Sequence, residues 1–443
     1  MNEPTIADNA APPIAPQIAP KIAVVGLGYV GLPLAVALAR HFPTTGLDIA
    51  ATRIAELRRG HDRTGEIAPG DLGASKLALT DLPADIGGHD VYIVTVPTPV
   101  DDSNQPDLGA VHSACALVGA QMAKGAIVVF ESTVYPGVTE DICGPALARA
   151  SSLVCGQDFF LGYSPERINP GDRLHTVDRI TKVVAGQTPD VRDRLAAIYG
   201  AVTTGGVFKA ASIRVAEAAK VIENAQRDIN IAFVNEVTMI FEKLGISVYD
   251  VLEAARTKWN FLSFAPGLVG GHCIGVDPFY LARAAIDAGH NPEIILAGRR
   301  INDAMGPWLA ERISAAMSGE GGGRTPGKIL VLGLTFKENV PDLRNSKVVD
   351  MVARLKVLGH AVEVHDACAD PAEARHAYGL ELLTNLATMQ GYDCVIGAVP
   401  HEAYAKLDAH TLATMVKPGG LIADIKGMWR ALALPAGLRF WRP

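Results

Sequence analysis

Cys273 stands in the segment Gly270-Gly271-His272-Cys273-Ile274-Gly275-Val276-Asp277-Pro278. A thiolate is a strong nucleophile, and two glycines before it let backbone and ligand come close to the sulfur. Asp277, four residues on, could orient or activate water. His272 is next to the thiol in sequence, but adjacent side chains seldom point the same way, so a Cys–His dyad is disfavoured. A lone cysteine is more often a small core residue, so Cys273 needs company to be read as a nucleophile. Lys220 and Asn224 lie four apart in a helical run and share a face. A lysine and an amide there could steady a developing negative oxygen; the alternative is a solvated lysine on an exposed face. Two further segments each follow a strand, Glu131-Ser132-Thr133-Val134 and Tyr163-Ser164-Pro165-Glu166-Arg167-Ile168-Asn169-Pro170-Gly171. The carboxyl edge of a sheet is where ligands bind in open α/β folds, which places Glu166 and Arg167 there. Thr133 could hold a water or a substrate hydroxyl, or simply cap a turn.

These groups need a scaffold, and the first element in chain order is a cofactor signature. The apolar run Ile22-Ala23-Val24-Val25 ends in Gly26-Leu27-Gly28-Tyr29-Val30-Gly31, with a helix over 32–40 and a second strand over 44–47 closing on Asp48. Gly26 permits the tight turn, Gly28 lets the backbone approach a pyrophosphate, and Gly31 lets helix and strand pack closely. The helix N-terminus faces the phosphates. Asp48 would accept hydrogen bonds from the adenine ribose and repel a 2′-phosphate, which favours NAD over NADP; Arg53 nearby argues the other way.

Further apolar strands are read at 91–96, 127–130 and 160–162, separated by helices, so the sheet is expected to be parallel and covered on both faces. Residues 212–244 carry almost no glycine or proline and read as one long helix, with helical segments continuing through Ala310. The glycine-rich stretch from Ser318 is a flexible linker by composition. The first pattern then returns at 328–333, 360–366 and 393–400 without the glycine triad. The fold class is α/β, two Rossmann-like doubly wound domains joined by a long central helix, with the dinucleotide in the first. The expected divisions are a disordered tail at 1–20, a cofactor domain at 21–211, a helical connector and dimerisation region at 212–317, a linker at 318–327 and a second Rossmann-like domain at 328–443.

Composition narrows the alternatives. Forty Lys+Arg against 47 Asp+Glu leaves a net charge of −7, which argues against a nucleic-acid binder. Six cysteines with no C-x-x-C spacing read as reduced thiols, with no metal site, in a cytoplasmic protein. No segment reaches the roughly 20 apolar residues of a membrane helix, and the Ala/Pro-rich start is no signal peptide.

Taken together, GLGYVGLP, VPTP, ESTVYPG, YSPERINPG, AEAAKVIEN, GLVGGHCIGVDP and FKENVPDLRNS run in the order of the UDP-glucose/GDP-mannose dehydrogenase family, which the chain resembles from about Lys21 to its end. KWNFL, GGHCIGVDP and NPEIILAGRRIND resemble most the UDP-N-acetylhexosamine 6-dehydrogenases of Vi-antigen and O-antigen synthesis. The resemblance implies a four-electron, NAD-dependent oxidation of a UDP-sugar at C6, through a thiohemiacetal and a thioester on Cys273, for surface polysaccharide. It implies a homodimer built on the long helix and UDP held by the C-terminal domain. It places Lys220, Asn224, Asp277, Thr133 and Glu166 in the chemistry. Tyr29, Val30, Arg53, Pro97, Thr98 and Arg344 fall at the cofactor. Arg167, Phe261, Gly270, Phe336 and Lys337 fall at the substrate, with Arg256 reaching it across the dimer. Two positions depart from the family. Val276 stands where UDP-glucose dehydrogenases usually carry lysine, which fits the N-acetyl branch. Ala265 stands where that branch usually has a basic residue, which bears on substrate affinity. The rival readings are a two-electron dehydrogenase of the 3-hydroxyacyl or 6-phosphogluconate type, and a catalytically inert nucleotide-binding protein that keeps the fold.

Overall fold

The computed structural model describes residues 19–101, 104–168, 176–271, 274–318 and 326–443. Short apolar runs flanked by helices become strands buried on both faces. The first sheet comprises Ile22–Val25 (β1), Thr44–Leu47 (β2), Ala78–Thr80 (β3), Val91–Val94 (β4), Ile127–Phe130 (β5), Phe160–Tyr163 (β6), Lys182–Gly186 (β7) and Val207–Lys209 (β8). Their order is β3-β2-β1-β4-β5-β6-β7-β8. The order reverses between β1 and β4, which opens a crevice at the carboxyl ends of the strands. Helix α1 (Gly31–Leu38) leaves the glycine loop at that crevice.

The sheet is not parallel throughout: β7 runs antiparallel to β6. Among the described residues between them no helix carries the chain back across the sheet, and neighbouring strands joined without a crossover run antiparallel. The helix Pro189–Gly200 then makes a crossover, and β8 is parallel to β7.

Helix α2 (Ile213–Leu244) follows. The Ser212 hydroxyl accepts the Val215 N–H at its start, and Gly245, at φ +68°, ends it. A shorter helix, α3 (Val248–Ala255), packs near its far end, and α4 (Asp277–Asp287) and α5 (Glu293–Ser318) pack along its length. Helix α5 runs past Ala310, through Pro307, to Ser318, and residues 319–325 of the expected linker lie outside the described residues. A buried polar network joins α2 to α5. Arg299 Nη1 lies 2.6 Å from Asp228 Oδ1, and the Asn302 amide donates to the same oxygen at 2.7 Å. Asn235 donates to Asn302 at 2.8 Å and grips Gly267 by both its N–H (2.9 Å) and its carbonyl (3.0 Å). The network therefore anchors the strand-less segment that leads to Gly270 and Gly271.

The second sheet comprises Lys328–Leu332 (β9), Ala361–His365 (β10), Leu382–Leu383 (β11), Tyr392–Gly397 (β12), Val416–Asp424 (β13) and Arg439–Trp441 (β14), all parallel in the order β11-β10-β9-β12-β13-β14. Asp366, just after β10, accepts the N–H groups of Leu334 and Thr335 as Asp48 accepts that of Leu27. His401 Nδ1 accepts the Asn339 N–H at 2.9 Å, and its Nε2 faces Asp366 and Thr335. Both ring nitrogens are thus engaged in holding the first loop of this unit, although Asp366, Cys368 and His401 lie close together. No helix among the described residues is long and apolar enough to cross a membrane.

Candidate active site

A cleft of about 400 Å³ opens at the crevice between β1 and β4. Gly26, Gly28, Tyr29 and Val30 line it, with Asp48 at one end and Pro97 and Thr98 on the loop after β4. Gly26 has φ +96°, a conformation that suits glycine, and a Cβ on Gly28 would meet nothing, so the loop backbone is open to a ligand. Gly31 is not on the wall but beneath it. A Cβ there would lie 1.9 Å from the Gly26 carbonyl oxygen and 2.3 Å from Thr95 Oγ1. These features suit the pyrophosphate and ribose of a dinucleotide. Gly31→Ala is expected to lower stability by about 1–3 kcal/mol through overpacking and to weaken NAD binding about tenfold or more by shifting the loop. Denaturant unfolding and NAD titration check this, and unaltered affinity would show that the loop absorbs the methyl group.

At the other end of the cleft, α2 and α4 bring three polar side chains together. The Asn224 amide donates to Asp277 Oδ2 at 2.5 Å, and Lys220 Nζ lies 3.8 Å from the same oxygen. Lys220 and Asp277 are both buried and both line the cleft. Burial pushes the Asp277 carboxyl up to about 6, while the Lys220 charge and the Asn224 amide pull it back. A carboxyl group so placed can take up and release a proton near neutral pH. Thr133 and Glu166 line the same cleft from the ends of β5 and β6. Glu166 accepts the N–H groups of Arg167 and Ile168, which fixes its carboxylate toward the interior.

Some groups here escaped the sequence reading. Lys182, the first residue of β7, is fully buried with Nζ 3.0 Å from Glu131 Oε2 and 3.4 Å from Glu166 Oε2. Tyr199 donates to Glu131 from behind. The faint signal was an ionisable residue opening an otherwise apolar strand, Lys182-Val183-Val184-Ala185. Tyr280, one turn along α4 from Asp277, donates to the carbonyls of Thr98 (3.0 Å) and Pro99 (3.2 Å) and so ties α4 to the loop after β4.

The second sheet closes over both halves. Arg344 lines the cleft with its guanidinium 5.1 Å from the centre of the Tyr29 ring. The adjacent Asn345 donates to the Gly271 carbonyl at 3.1 Å. Gly270, Phe336 and Lys337 line a second recess at the carboxyl end of β9, β12 and β13, where Lys426 is half-buried and desolvation shifts its ammonium down. A Cβ on Gly271 would meet the Phe336 ring at 2.9 Å, so the glycine pair lets the second unit approach.

Other expected residues lie apart from these two pockets. Arg53 is buried behind the glycine loop, donating to the Leu27 carbonyl (3.0 Å) and to Asp62 (2.7 Å), so it braces the cofactor loop from within. Arg167 points outward to Glu223 at 2.8 Å. Arg256 is exposed at the end of α3, and Phe261 packs against Val234, Val248, Tyr249 and Leu252. Cys273, His272 and residues 169–171 lie outside the described residues.

Comparison with known proteins places this geometry. Residues 20–203 match the NAD-binding domain of the UDP-glucose/GDP-mannose dehydrogenase family, residues 214–304 its central domain and residues 330–431 its UDP-binding domain. Protein CapL of Staphylococcus aureus is 50% identical over 421 residues, covering 95% of this chain and 99% of CapL. The UDP-N-acetyl-D-glucosamine 6-dehydrogenase of Pseudomonas aeruginosa is 48% identical, covering 92% of this chain and 96% of that protein. The solved UDP-D-ManNAc dehydrogenase of Pyrococcus horikoshii superposes with a TM-score of 0.85 at 28% identity, covering 95% of this chain and 98% of the other.

Proposed function

Because the chain belongs to the UDP-glucose/GDP-mannose dehydrogenase family, and is thus an NAD-dependent nucleotide-sugar dehydrogenase, we propose that it oxidises the C6 hydroxyl of a UDP-N-acetylhexosamine to the carboxylate. The observation that carries the reading is the meeting of Lys220, Asn224 and Asp277 at one end of the cleft into which the glycine loop opens. The name of the Pseudomonas aeruginosa relative supports the N-acetyl sugar, as does Val276. The uronate product is assigned to surface polysaccharide synthesis.

NAD, when bound, supplies the hydride acceptor for both oxidations. In the first, the C6 alcohol loses a hydride and a proton and becomes an aldehyde. The Cys273 thiolate adds to the aldehyde carbon, giving a thiohemiacetal. Its oxidation leaves a thioester, which water cleaves to carboxylate and free thiol. Lys220 and Asn224 steady the negative oxygen that develops at C6 in each stage. Asp277 takes the proton from the water that attacks the thioester, with Thr133 helping to hold that water. Glu166 lies beside the reacting sugar, and Phe336, Lys337 and Lys426 hold the UDP in the second recess, where cations suit a diphosphate. Val215, Ile222, Phe233 and Ile240 of α2 are exposed at spacings of seven, eleven and seven, one apolar stripe, and a homodimer formed along it would bury them.

The test counts NADH formed per sugar consumed, with UDP-N-acetyl-D-glucosamine, UDP-N-acetyl-D-galactosamine and UDP-glucose in turn. Two NADH from an N-acetyl sugar is the expected result. One NADH per sugar would replace this reading with a two-electron dehydrogenase.

A further inference from the structure

Lys182 lies outside the triad used above, and its side chain has no contact with water. A buried ammonium is costly unless well paired, and an apolar residue of similar volume usually packs at least as stably. Something other than packing therefore accounts for a lysine at the head of β7. Its Nζ bridges Glu131 Oε2 at 3.0 Å and Glu166 Oε2 at 3.4 Å and sits 5.3 Å from the centre of the Tyr199 ring. The two acids come from the ends of the adjacent strands β5 and β6, and both line the cleft. The other Glu131 oxygen is held by the Tyr199 hydroxyl, and the other Glu166 oxygen by two backbone N–H groups. Each carboxylate is thus gripped from the interior while its residue forms part of the ligand wall.

From this geometry we propose that Lys182 is a positioning residue for the oxidation: paired with Glu131 as its fixed counter-charge, it holds the Glu166 carboxylate in place at the cleft wall. The inference rests on the reading of Glu166 as the acid beside the reacting sugar. Burial pushes the Glu131 carboxyl up, while the Lys182 charge pulls it back toward the ionised form.

The test compares Lys182→Met, Lys182→Arg, the double variant Lys182→Met with Glu131→Gln, and Glu166→Gln by kcat, KM for NAD and for UDP-N-acetyl-D-glucosamine, and thermal unfolding. Lys182→Met is expected to lower kcat about 100-fold with both KM values within about threefold of the parent. Lys182→Arg recovers part of that loss. The double variant removes the more deeply buried of the two acids and regains most of the melting temperature of the parent, yet keeps at least about a tenfold deficit in kcat because Glu166 still lacks its lysine. A double variant as active as the parent would overturn the proposal and leave Lys182 a charge-balancing group only. A loss confined to KM would overturn it too. If Lys182→Met fails to fold, the double variant decides, since it buries no unpaired acid at Glu131. Glu166→Gln separates the levels: parent-like turnover there removes the reading of Glu166 itself, whereas slow Glu166→Gln beside fast Lys182 variants overturns this inference alone.

Discussion

Cys273→Ser is expected to lower uronate formation on the order of 10³-fold or more, the scale on which loss of an enzyme nucleophile acts. Serine keeps the shape of the side chain but presents a hydroxyl, a much weaker acid and nucleophile than a thiol. The first hydride transfer does not need the thiol, so the variant should still release NADH at up to one equivalent per sugar, with aldehyde as the other product. The two activities therefore come apart. Trapping the aldehyde with a hydrazine while NADH is counted reads both in one experiment. Parent-like uronate formation by Cys273→Ser would mean that no covalent thioester lies on the path. The structural context agrees with a demanding position: Gly270 and Gly271 lie against Phe336 and Asn345 of the loop after β9, and the Asn345 amide donates to the Gly271 carbonyl.

Lys220→Met should cost about 10²–10³-fold in kcat, the range for removal of a group that stabilises a developing oxyanion. The same substitution should move the pH profile, with a sign set by the pair. Burial already holds the Asp277 carboxyl near 6, with Lys220 among the groups that favour its ionised form and Glu223 opposing it. Asp277 must be ionised to take a proton from water, so parent turnover should fall as pH drops through about 6. Without the Lys220 charge, ionisation of Asp277 becomes harder and the acid limb shifts to higher pH. Asn224→Ala should shift it in the same direction, since the amide donates to the same oxygen. Profiles of kcat against pH for the three proteins provide the check. An acid limb that stays in place in Lys220→Met would mean that another group controls it, and that Asp277 is not the base.

Contacts that span a few residues could be read from the chain. The glycine loop and Asp48 are linked by a single βαβ unit, and their spacing carries the placement of Asp48 at the end of β2; the Leu27 N–H that Asp48 accepts is a contact the structure adds. Lys220 and Asn224 share a face because the helical repeat puts residues four apart on one side, and α2 ends at the Ser212 cap and Gly245 that local chemistry provides. The repeated strand pattern after Lys328 likewise announced a second sheet.

Tertiary structure decided what strand order and helix packing bring together. Glu131 and Lys182 are 51 residues apart, and only the adjacency of β5, β6 and β7 puts both beside Glu166. Arg53 looked like a cofactor contact from its place after Asp48, yet it sits on the buried face of the helix Ala51–Arg58 and turns inward to Asp62, because a buried guanidinium needs an acid partner. The reach of Arg344 over Tyr29 and of Asn345 to Gly271 depends on how the second sheet docks against the first. Local sequence carries hydrophobic period and turn preference, which act over one or two turns of chain. The polar contacts that complete the site join groups far apart in sequence, and they are set by burial, which makes each ionised side chain find the partners the packed elements leave within reach.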